Sequence, residues 1–260
     1  MHAETEKQAT FSTTSTEIIF EIRLNQISND QGSQQAYDTI YTQTDIALRD
    51  SFYLWLIELM ALQTDDVYLD VSCGHGQLTS LAQRRGIQAY GLDLSHIALR
   101  QGRTDNDEAT LVSANAQQLP FADGCFTVVS NIGSIEHYTD MHTAVSEMTR
   151  VLKPGGRAVV LLPNTFSLMH NIWVAWRHGR TNIDNQPIQR YAARREWQQL
   201  LESKGLVVEK TIKYEIEKPR TRADFVSYLR HPKRMFKLIM TPFIPLNLAF
   251  CFVFFCYKPK

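Results

Sequence analysis

Short apolar runs alternate with stretches of helical spacing through the middle of this 260-residue chain. Val67–Val71, Gln88–Leu92 and Phe126–Ser130 are predicted strands, and Thr110–Ser113 is a weaker one. Arg157–Leu162 is apolar almost throughout, which is typical of a strand that is buried on both faces. The pattern therefore predicts a sheet whose strands lie mostly inside the protein.

Helical spacing separates these strands. Apolar residues recur through Leu78–Ala82, and Gly86 is placed to end that helix. Ser95 is predicted to cap a short helix through Ile97–Leu99, and Met141–Leu152 is a further helix that a Pro-Gly-Gly turn ends. Repeated β-α units of this kind predict an α/β fold with a parallel, doubly wound sheet.

The two ends of the chain are less regular. Residues 1–43 are predicted to be an acidic N-terminal extension, of which residues 1–16 lack periodicity and are expected to be disordered. A helix is predicted from Thr44 to about Leu62. Towards the C-terminus the pattern predicts a helix at Arg194–Lys204, a strand at Leu206–Ile212 and an apolar strand at Ala249–Tyr257.

Charge and cysteine content narrow the function classes. The chain has 27 basic and 27 acidic residues, a balance that gives no support for a nucleic-acid-binding protein. Four cysteines without a C-x-x-C pair argue against a zinc site and a disulfide scaffold, so reduced, buried cysteines are expected. The first thirty residues show no apolar signal segment, and we expect a cytoplasmic protein.

A glycine-containing loop follows the first long apolar strand. Gly74 and Gly76 lie where the backbone can approach a ligand without a Cβ in the way. The dinucleotide pattern G-x-G-x-x-G fails, because Ser72 and Gln77 occupy two of its three glycine positions. The pattern acid-x-G-x-G-x-G fits Asp70, Gly74 and Gly76, with Ser72 in the first glycine position.

Three further motifs follow this loop in order. Gly91–Asp93 ends the second strand, and Asp93 comes 23 residues after Asp70. Residues 115–123 read NAQQLPFAD, and residues 151–157 read VLKPGGR. Together the four motifs resemble those of class I S-adenosylmethionine-dependent methyltransferases, particularly the type 11 branch that includes the ubiquinone/menaquinone C-methyltransferases.

The resemblance implies a fold and a division of the chain. The expected fold is a Rossmann-like, doubly wound, seven-stranded α/β sheet whose final strand is antiparallel. Residues 44–260 would form the methyltransferase domain, with residues 67–162 as the part that binds S-adenosylmethionine. Residues 163–248 would supply substrate or lid elements, and residues 249–257 the final strand.

The resemblance also implies roles for the first cofactor residues. Asp70 would hold the methionyl ammonium, and Gly74 and Gly76 would let the chain pass close to the cofactor. Asp93 would accept hydrogen bonds from both ribose hydroxyls, since a carboxylate offers two acceptor oxygens. Ser72 in place of glycine is expected to lower cofactor affinity slightly. A structural role in a turn or helix cap is the alternative for these positions.

The remaining implied contacts lie at the adenine and methionyl ends. Leu94 and Ala116 would flank the adenine, with ordinary core packing as the rival interpretation. Asn115 stands where the family often has an aspartate, and its amide oxygen could still accept from the adenine amino group. Asn131 and Ile132 would contact the methionyl end.

Glu136 and His137 are the candidate catalytic residues. They follow the fourth strand, and the ligand site of an open α/β sheet lies beyond the carboxyl ends of its strands. Histidine titrates near neutrality, so His137 could remove a proton from an acceptor. A structural hydrogen bond at a helix entry is the alternative for His137. No metal ligand is predicted.

The acceptor must be chosen mainly by residues beyond 162. Residues 210–260 contain eleven Lys or Arg and three acids, so a small-molecule, sugar or lipid-linked acceptor with negative charge is expected.

The basic run is followed by an uncharged stretch, residues 238–257, that prolines interrupt. A peripheral membrane contact through residues 230–246 is predicted, with a spanning helix as a weaker alternative. The competing interpretation is a solvated helix face with Phe236, Ile239 and Met240 packed inward, which would leave four cations exposed: Arg230, Lys233, Arg234 and Lys237.

Three functional hypotheses remain open on the sequence. The first is a cytoplasmic S-adenosylmethionine-dependent methyltransferase. The second is a non-catalytic S-adenosylmethionine-binding sensor or scaffold. The third is a membrane-associated lipid methyltransferase.

Overall fold

A computed structural model describes residues 18–23, 27–43, 48–105, 109–183 and 186–260. The predicted disorder of residues 1–16 lies outside these ranges. The described strands are β1 (Phe20–Arg23), β2 (Val67–Val71), β3 (Gln88–Asp93), β4 (Leu111–Ser113), β5 (Phe126–Ile132), β6 (Leu152–Pro163), β7 (Ile188–Tyr191), β8 (Val207–Tyr214) and β9 (Cys251–Tyr257). The described α-helices are α1 (Asp30–Gln43), α2 (Asp50–Met60), α3 (Gln77–Gln83), α4 (His96–Asp105), α5 (Met141–Val151), α6 (Trp173–His178), α7 (Arg194–Ser203), α8 (Arg222–Arg230) and α9 (Pro232–Met240).

Seven strands form one sheet in the order β4-β3-β2-β5-β6-β9-β8. Strands β2 to β6 are parallel, and β9 lies antiparallel between β6 and β8. The predicted Rossmann-like, doubly wound sheet with an antiparallel final strand is therefore confirmed. Its order reverses at β2, because β3 lies on one side of that strand and β5 on the other.

Helices cover both faces of this sheet. On one face Met148 of α5 and Trp197 of α7 belong to the same buried cluster as Leu69 of β2. On the other face Leu56 of α2 and Leu78 of α3 belong to a second buried cluster. Strand side chains alternate between the two clusters, so the central strands are apolar on both faces, as their sequence predicts.

The segment before residue 44 contains structure that the sequence analysis did not predict. Strand β1 pairs antiparallel with β7, in the register Phe20 to Tyr191. Helix α1 begins at Asp30, and the Asn29 side chain accepts a hydrogen bond from Gly32 N at 2.8 Å, as an N-terminal cap does. Within residues 18–23 and 27–43, the predicted extension therefore folds as two elements, one of which is a long helix.

The predicted helix from Thr44 is shorter in the structure. Residues 44–47 lie outside the described ranges, while Leu48 and Arg49 are not helical and α2 begins at Asp50. It ends at Met60 because Ala61 takes a left-handed conformation with φ of 46°.

The C-terminal basic segment corrects two expectations. Phe236 and Ile239 of α9 are 57% and 59% exposed, so the interpretation that packs them inward on the sheet is wrong. Lys237 is the residue that turns inward, with Nζ 3.8 Å from Glu215 Oε2 and 4.2 Å from the centre of the Phe250 ring. It is therefore not one of the exposed cations.

The uncharged stretch after Lys237 is divided among several elements. Helix α9 ends at Met240, short 3-10 turns follow, and β9 begins at Cys251. Among the helices that the structure describes, none has the length and apolar character needed to cross a bilayer.

Candidate active site

A cavity of about 260 Å³ opens beyond the carboxyl ends of β2, β3 and β5. This is where an open α/β sheet that reverses its strand order places its ligand. Its floor is the loop after β2 together with the end of β3, and its cover is formed by α1 and α2. Of the predicted residues, those that line it are Asp70, Ser72, Gly74, Asp93, Leu94, Ile132 and His137.

The loop after β2 takes an unusual backbone conformation. Ser72, Gly74 and Gly76 all have positive φ, at 62°, 56° and 75°. Left-handed backbone costs a residue with a Cβ about 1–2 kcal/mol, so serine in the first glycine position is strained. The Ser72 hydroxyl lies 2.6 Å from the Tyr138 hydroxyl, a hydrogen bond that helps to hold the conformation.

Close packing explains the two glycines differently. A Cβ on Gly74 would lie 2.9 Å from the Tyr41 hydroxyl, and a Cβ on Gly76 would lie 2.7 Å from Leu111 Cδ2. Gly74 lines the cavity and touches its cover, whereas Gly76 is outside the lining and lets β4 approach the loop. The cofactor contact of Gly76 stays a prediction.

Asp93 is bound into the floor by backbone amides. Gly74 N donates to its Oδ2 and Ser95 N to its Oδ1, each at 2.8 Å. Burial raises the pKa of this carboxyl above its usual range, and the two amide bonds oppose that rise. Each oxygen keeps a second lone pair, so the two carboxylate oxygens of Asp93 can still accept hydrogen bonds from two neighbouring hydroxyls.

Asp70 is the second buried carboxyl in the lining. Ser130 Oγ donates to its Oδ1 at 2.6 Å, and the Tyr68 hydroxyl lies 2.6 Å from Ser130 Oγ. Burial raises the pKa of Asp70 to about 7, although these hydroxyls favour the ionised form. A cationic ligand in the cavity would favour ionisation further, so the site suits an ammonium group.

Asn115 and Ala116 lie outside the described cavity lining. Asn115 Nδ2 donates to Asp30 Oδ2 at 2.6 Å, and its Oδ1 accepts from Gln117 N at 2.9 Å. Ala116 is buried in the core, while Leu94 does reach the cavity. The adenine contacts of Asn115 and Ala116 stay predictions, and Asn115 here holds the start of α1.

Asn131 and Ile132 also differ in whether they reach the cavity. Ile132 lines the cavity. Asn131 is fully buried, and its Nδ2 donates to Val71 O at 3.1 Å and to the Tyr138 hydroxyl at 2.6 Å. Its Oδ1 accepts from Ile135 N at 3.1 Å, so Asn131 orients the turn that carries the catalytic candidates.

His137 reaches the cavity, whereas Glu136 is buried outside the lining. His137 Nδ1 lies 2.5 Å from Ile188 O, and its Nε2 lies 3.8 Å from Glu136 Oε1. Because a carbonyl can only accept, Nδ1 carries the proton, and in the neutral ring Nε2 is then the basic atom. The buried Arg190 fixes this turn by donating to Tyr138 O at 2.6 Å.

The sequence analysis did not predict α1 and assigned no site role to either helix of the cover. Ser33, Tyr37 and Tyr41 line the cavity from α1, and they are spaced four residues apart on one helix face. That spacing, together with the Asn29 cap, is a signal that could have indicated α1. The other lining residues that were missed include Leu48, Phe52, Tyr53, Leu56, Ser134, Tyr138 and Gln186.

Comparison with known proteins identifies the region that forms the floor. Residues 69–160 match the family described as "Methyltransferase domain". A ubiquinone/menaquinone biosynthesis C-methyltransferase from Cereibacter sphaeroides is 31% identical over 146 residues, which are 52% of this chain and 57% of that protein. The chain spans about half the length of the curated relatives that it matches first.

Solved structures support the fold over a longer part of the chain. An S-adenosylmethionine-dependent methyltransferase from Mesorhizobium loti has a TM-score of 0.57 at 14% identity, covering 79% of this chain and 98% of its own. The [4+2]-cyclase SpnF has a TM-score of 0.62 at 17% identity, covering 89% of this chain and 97% of its own. At such identities the likeness shows the fold alone.

The motifs, the sheet and the matched region agree with one another. Residues 69–160 match the methyltransferase domain family, and the sheet has the fold of solved S-adenosylmethionine-dependent methyltransferases. The residues in the cavity fit S-adenosylmethionine. Two buried carboxyls line the cavity, and a ligand can approach the glycine backbone beside them closely because no Cβ is in the way. The cavity is therefore a candidate site for S-adenosylmethionine.

Proposed function

We propose that this protein transfers a methyl group from S-adenosylmethionine to a small, uncharged and largely apolar acceptor. The observation that carries the proposal is that His137 and the two floor carboxyls, Asp70 and Asp93, line one cavity. A base within the cofactor cavity is what an acceptor that must lose a proton requires.

The chemistry of the lining favours a flat acceptor. Tyr37, Phe52 and Tyr53 contribute aromatic side chains from the cover, and Ile132 adds an apolar one from the floor side. None of the described lining residues is lysine or arginine, which argues for a neutral acceptor rather than an anionic sugar or phosphate. The Cereibacter relative is named for ubiquinone and menaquinone biosynthesis, and a quinone ring is flat and uncharged in the same way.

His137 would act as the proton acceptor. When bound, S-adenosylmethionine supplies a methyl group that its sulfonium already activates. His137 Nε2 would take the acceptor's hydroxyl or carbon-bound proton as the new bond to methyl forms and the methyl–sulfur bond breaks, which leaves a neutral thioether. Nδ1 would keep its own proton, which is hydrogen-bonded to Ile188 O. The main contribution of the protein is then to orient the acceptor and exclude water beneath the cover.

A non-catalytic sensor remains the alternative from another class. A sensor needs the floor but has no use for a histidine held in one tautomer inside the cavity, so His137 favours the enzyme.

The four cysteines are free thiols, which supports an enzyme that works in a reducing compartment such as the cytoplasm.

The deciding experiment follows a radiolabelled methyl group. Purified protein, labelled S-adenosylmethionine and a lipid or aqueous extract are incubated, and the label is traced to a product by chromatography. We expect label in the apolar fraction with wild type, and labelling slower by about a hundredfold or more with His137→Ala. Calorimetric cofactor binding without transfer to either extract would favour the sensor, and no cofactor binding would refute both functions.

A further inference from the structure

Helices α8 and α9 turn large apolar side chains toward solvent. On α8 Phe225 is 55% exposed and Leu229 61%, and these two residues are one helical turn apart. On α9 Phe236 and Ile239 are likewise one turn apart, and both are more than half exposed. We define the α8–α9 face by its exposed apolar residues: Phe225, Val226, Leu229, Phe236, Ile239 and Phe243.

Cations border this face and acids do not. Arg222, Arg230 and Lys233 are exposed, and no ion pair is described for them. Asp224 is the one acid in residues 218–247, and it is buried, with its Oδ2 accepting from Ser51 N at 3.0 Å. The face therefore combines exposed aromatic and aliphatic groups with positive charge that nothing on the same segment neutralises.

The polar side of the same helices holds them firmly on the sheet. Lys213 Nζ donates to Thr241 O at 2.8 Å and to Ile244 O at 2.6 Å, so strand β8 binds the end of α9. Lys237 turns toward Glu215, which is nearly fully buried. Because these contacts use the inner side, the apolar residues are held outward by the fold.

Helix α8 is also tied to the cover of the cavity. Arg49 Nη2 lies 2.5 Å from Glu217 Oε1, and Asp224 receives the backbone N–H of Ser51 at the start of α2. The α2 residues Phe52 and Leu56 line the cavity a few residues further on. A surface that contacts α8 would therefore lie next to the helix that covers the active site.

We propose that the α8–α9 face docks on the surface of an anionic lipid bilayer. Amphipathic helices with aromatic and aliphatic residues on one side and Lys or Arg beside them lie in the interfacial plane of a membrane. Each cation near an anionic surface adds attraction that salt screens within a Debye length. Charge decides for the bilayer over a second copy of this chain, since two such faces would bring like charges together.

The test is flotation with vesicles of phosphatidylcholine, with and without phosphatidylglycerol. We expect wild-type protein to float with the anionic vesicles at low salt, to float less at high salt, and to stay at the bottom with phosphatidylcholine alone. Arg222→Gln, Arg230→Gln and Lys233→Gln together should weaken partition by about tenfold or more. A matched control is Arg85→Gln with Lys153→Gln, which removes two exposed cations elsewhere and should float like wild type.

A second variant tests the apolar part of the face. Leu229→Ser, Phe236→Ser and Ile239→Ser replace exposed side chains, so the fold should survive, as circular dichroism and cofactor calorimetry would confirm. We expect this variant to lose flotation at every salt concentration. The exposed Trp176, which lies outside the face, provides the apolar control as Trp176→Ser.

Three results would overturn the proposal. The first is wild-type protein that stays at the bottom of the gradient with anionic vesicles at low salt. The second is a serine variant that floats as wild type does. The third is a wild-type dimer in sedimentation analysis that the serine substitutions dissociate while vesicle binding is absent, which would make the face a protein interface.

Discussion

The floor and the cover of the cavity are built in different ways. In the floor, Asp70, Gly74 and Asp93 lie within 24 residues of sequence, and the backbone N–H of Gly74 donates a hydrogen bond to Asp93 Oδ2. In the cover, Tyr37 and Tyr41 come from a helix that precedes the sheet and reaches the site only by tertiary packing. The floor repeats the family pattern, whereas the cover has no motif.

The difference assigns two tasks to two regions. A floor of buried carboxyls and strained backbone suits one cofactor with fixed charges and hydroxyls. A cover of aromatic side chains on helices can change without disturbing the strands, and so it suits the choice of acceptor. Variants that touch one region should therefore affect either cofactor affinity or acceptor use.

The largest effect is expected at His137, which stands between the two regions. His137→Ala should lower turnover by about a hundredfold or more while the cofactor dissociation constant stays unchanged. His137→Asn can still donate to Ile188 O but has no basic nitrogen, so it should lose as much activity. Single-turnover rates and calorimetry provide the two measurements. Full activity in the Asn variant would reduce His137 to a structural role.

A smaller effect is expected at Asp93 in the floor. Asp93→Ala removes the acceptors for the ribose hydroxyls and also leaves Gly74 N and Ser95 N without their partner. A hydrogen bond to a charged group contributes about 1.5–3 kcal/mol, so cofactor affinity should fall at least about tenfold. Asp93→Asn keeps one acceptor oxygen, so its cofactor affinity should lie between that of wild type and that of Asp93→Ala. Calorimetry that finds the same dissociation constant in all three proteins would contradict the assignment of this floor.

Cofactor binding should also depend on pH through Asp70. Burial raises the pKa of this carboxyl to about 7, and binding of an ammonium group favours the ionised form. Below pH 7 a proton must leave before the ammonium can pair, so affinity should rise about tenfold from pH 6 to pH 8 and then level off. Calorimetry in buffers of different ionisation enthalpy should show proton release at pH 6. In Asp70→Asn both the pH dependence and the released proton should disappear.

The smallest effect concerns the contact between floor and cover. Gly74→Ala places a methyl group at positive φ and 2.9 Å from the Tyr41 hydroxyl, so it should lower the free energy of unfolding. Tyr41→Phe removes that hydroxyl and should recover about 0.5–1 kcal/mol in the alanine background, as denaturant unfolding of the double-mutant cycle would measure. If the two substitutions change the free energy of unfolding strictly additively, Tyr41 does not pack on Gly74.

The sequence alone indicated the strands and the helix cap that build the floor. The predicted strands Val67–Val71 and Gln88–Leu92 match β2 and β3 to within one residue at each end. Ser95 caps α4 as expected, with Oγ accepting from Ala98 N at 3.2 Å. These features depend on neighbours a few positions away, through buried apolar runs, positive φ at glycine and capping hydroxyls.

What only the tertiary structure decided depends on contacts across long stretches of chain. Asn115 bonds Asp30 at a separation of 85 residues, and Gln34 Nε2 reaches Leu94 O at a separation of 60. No local pattern states that a polar N-terminal helix will lie over the glycine loop, or that Lys237 will turn inward while Phe236 faces out. Such choices follow from which surfaces remain to be covered once the sheet has formed, and that is a property of the folded molecule as a whole.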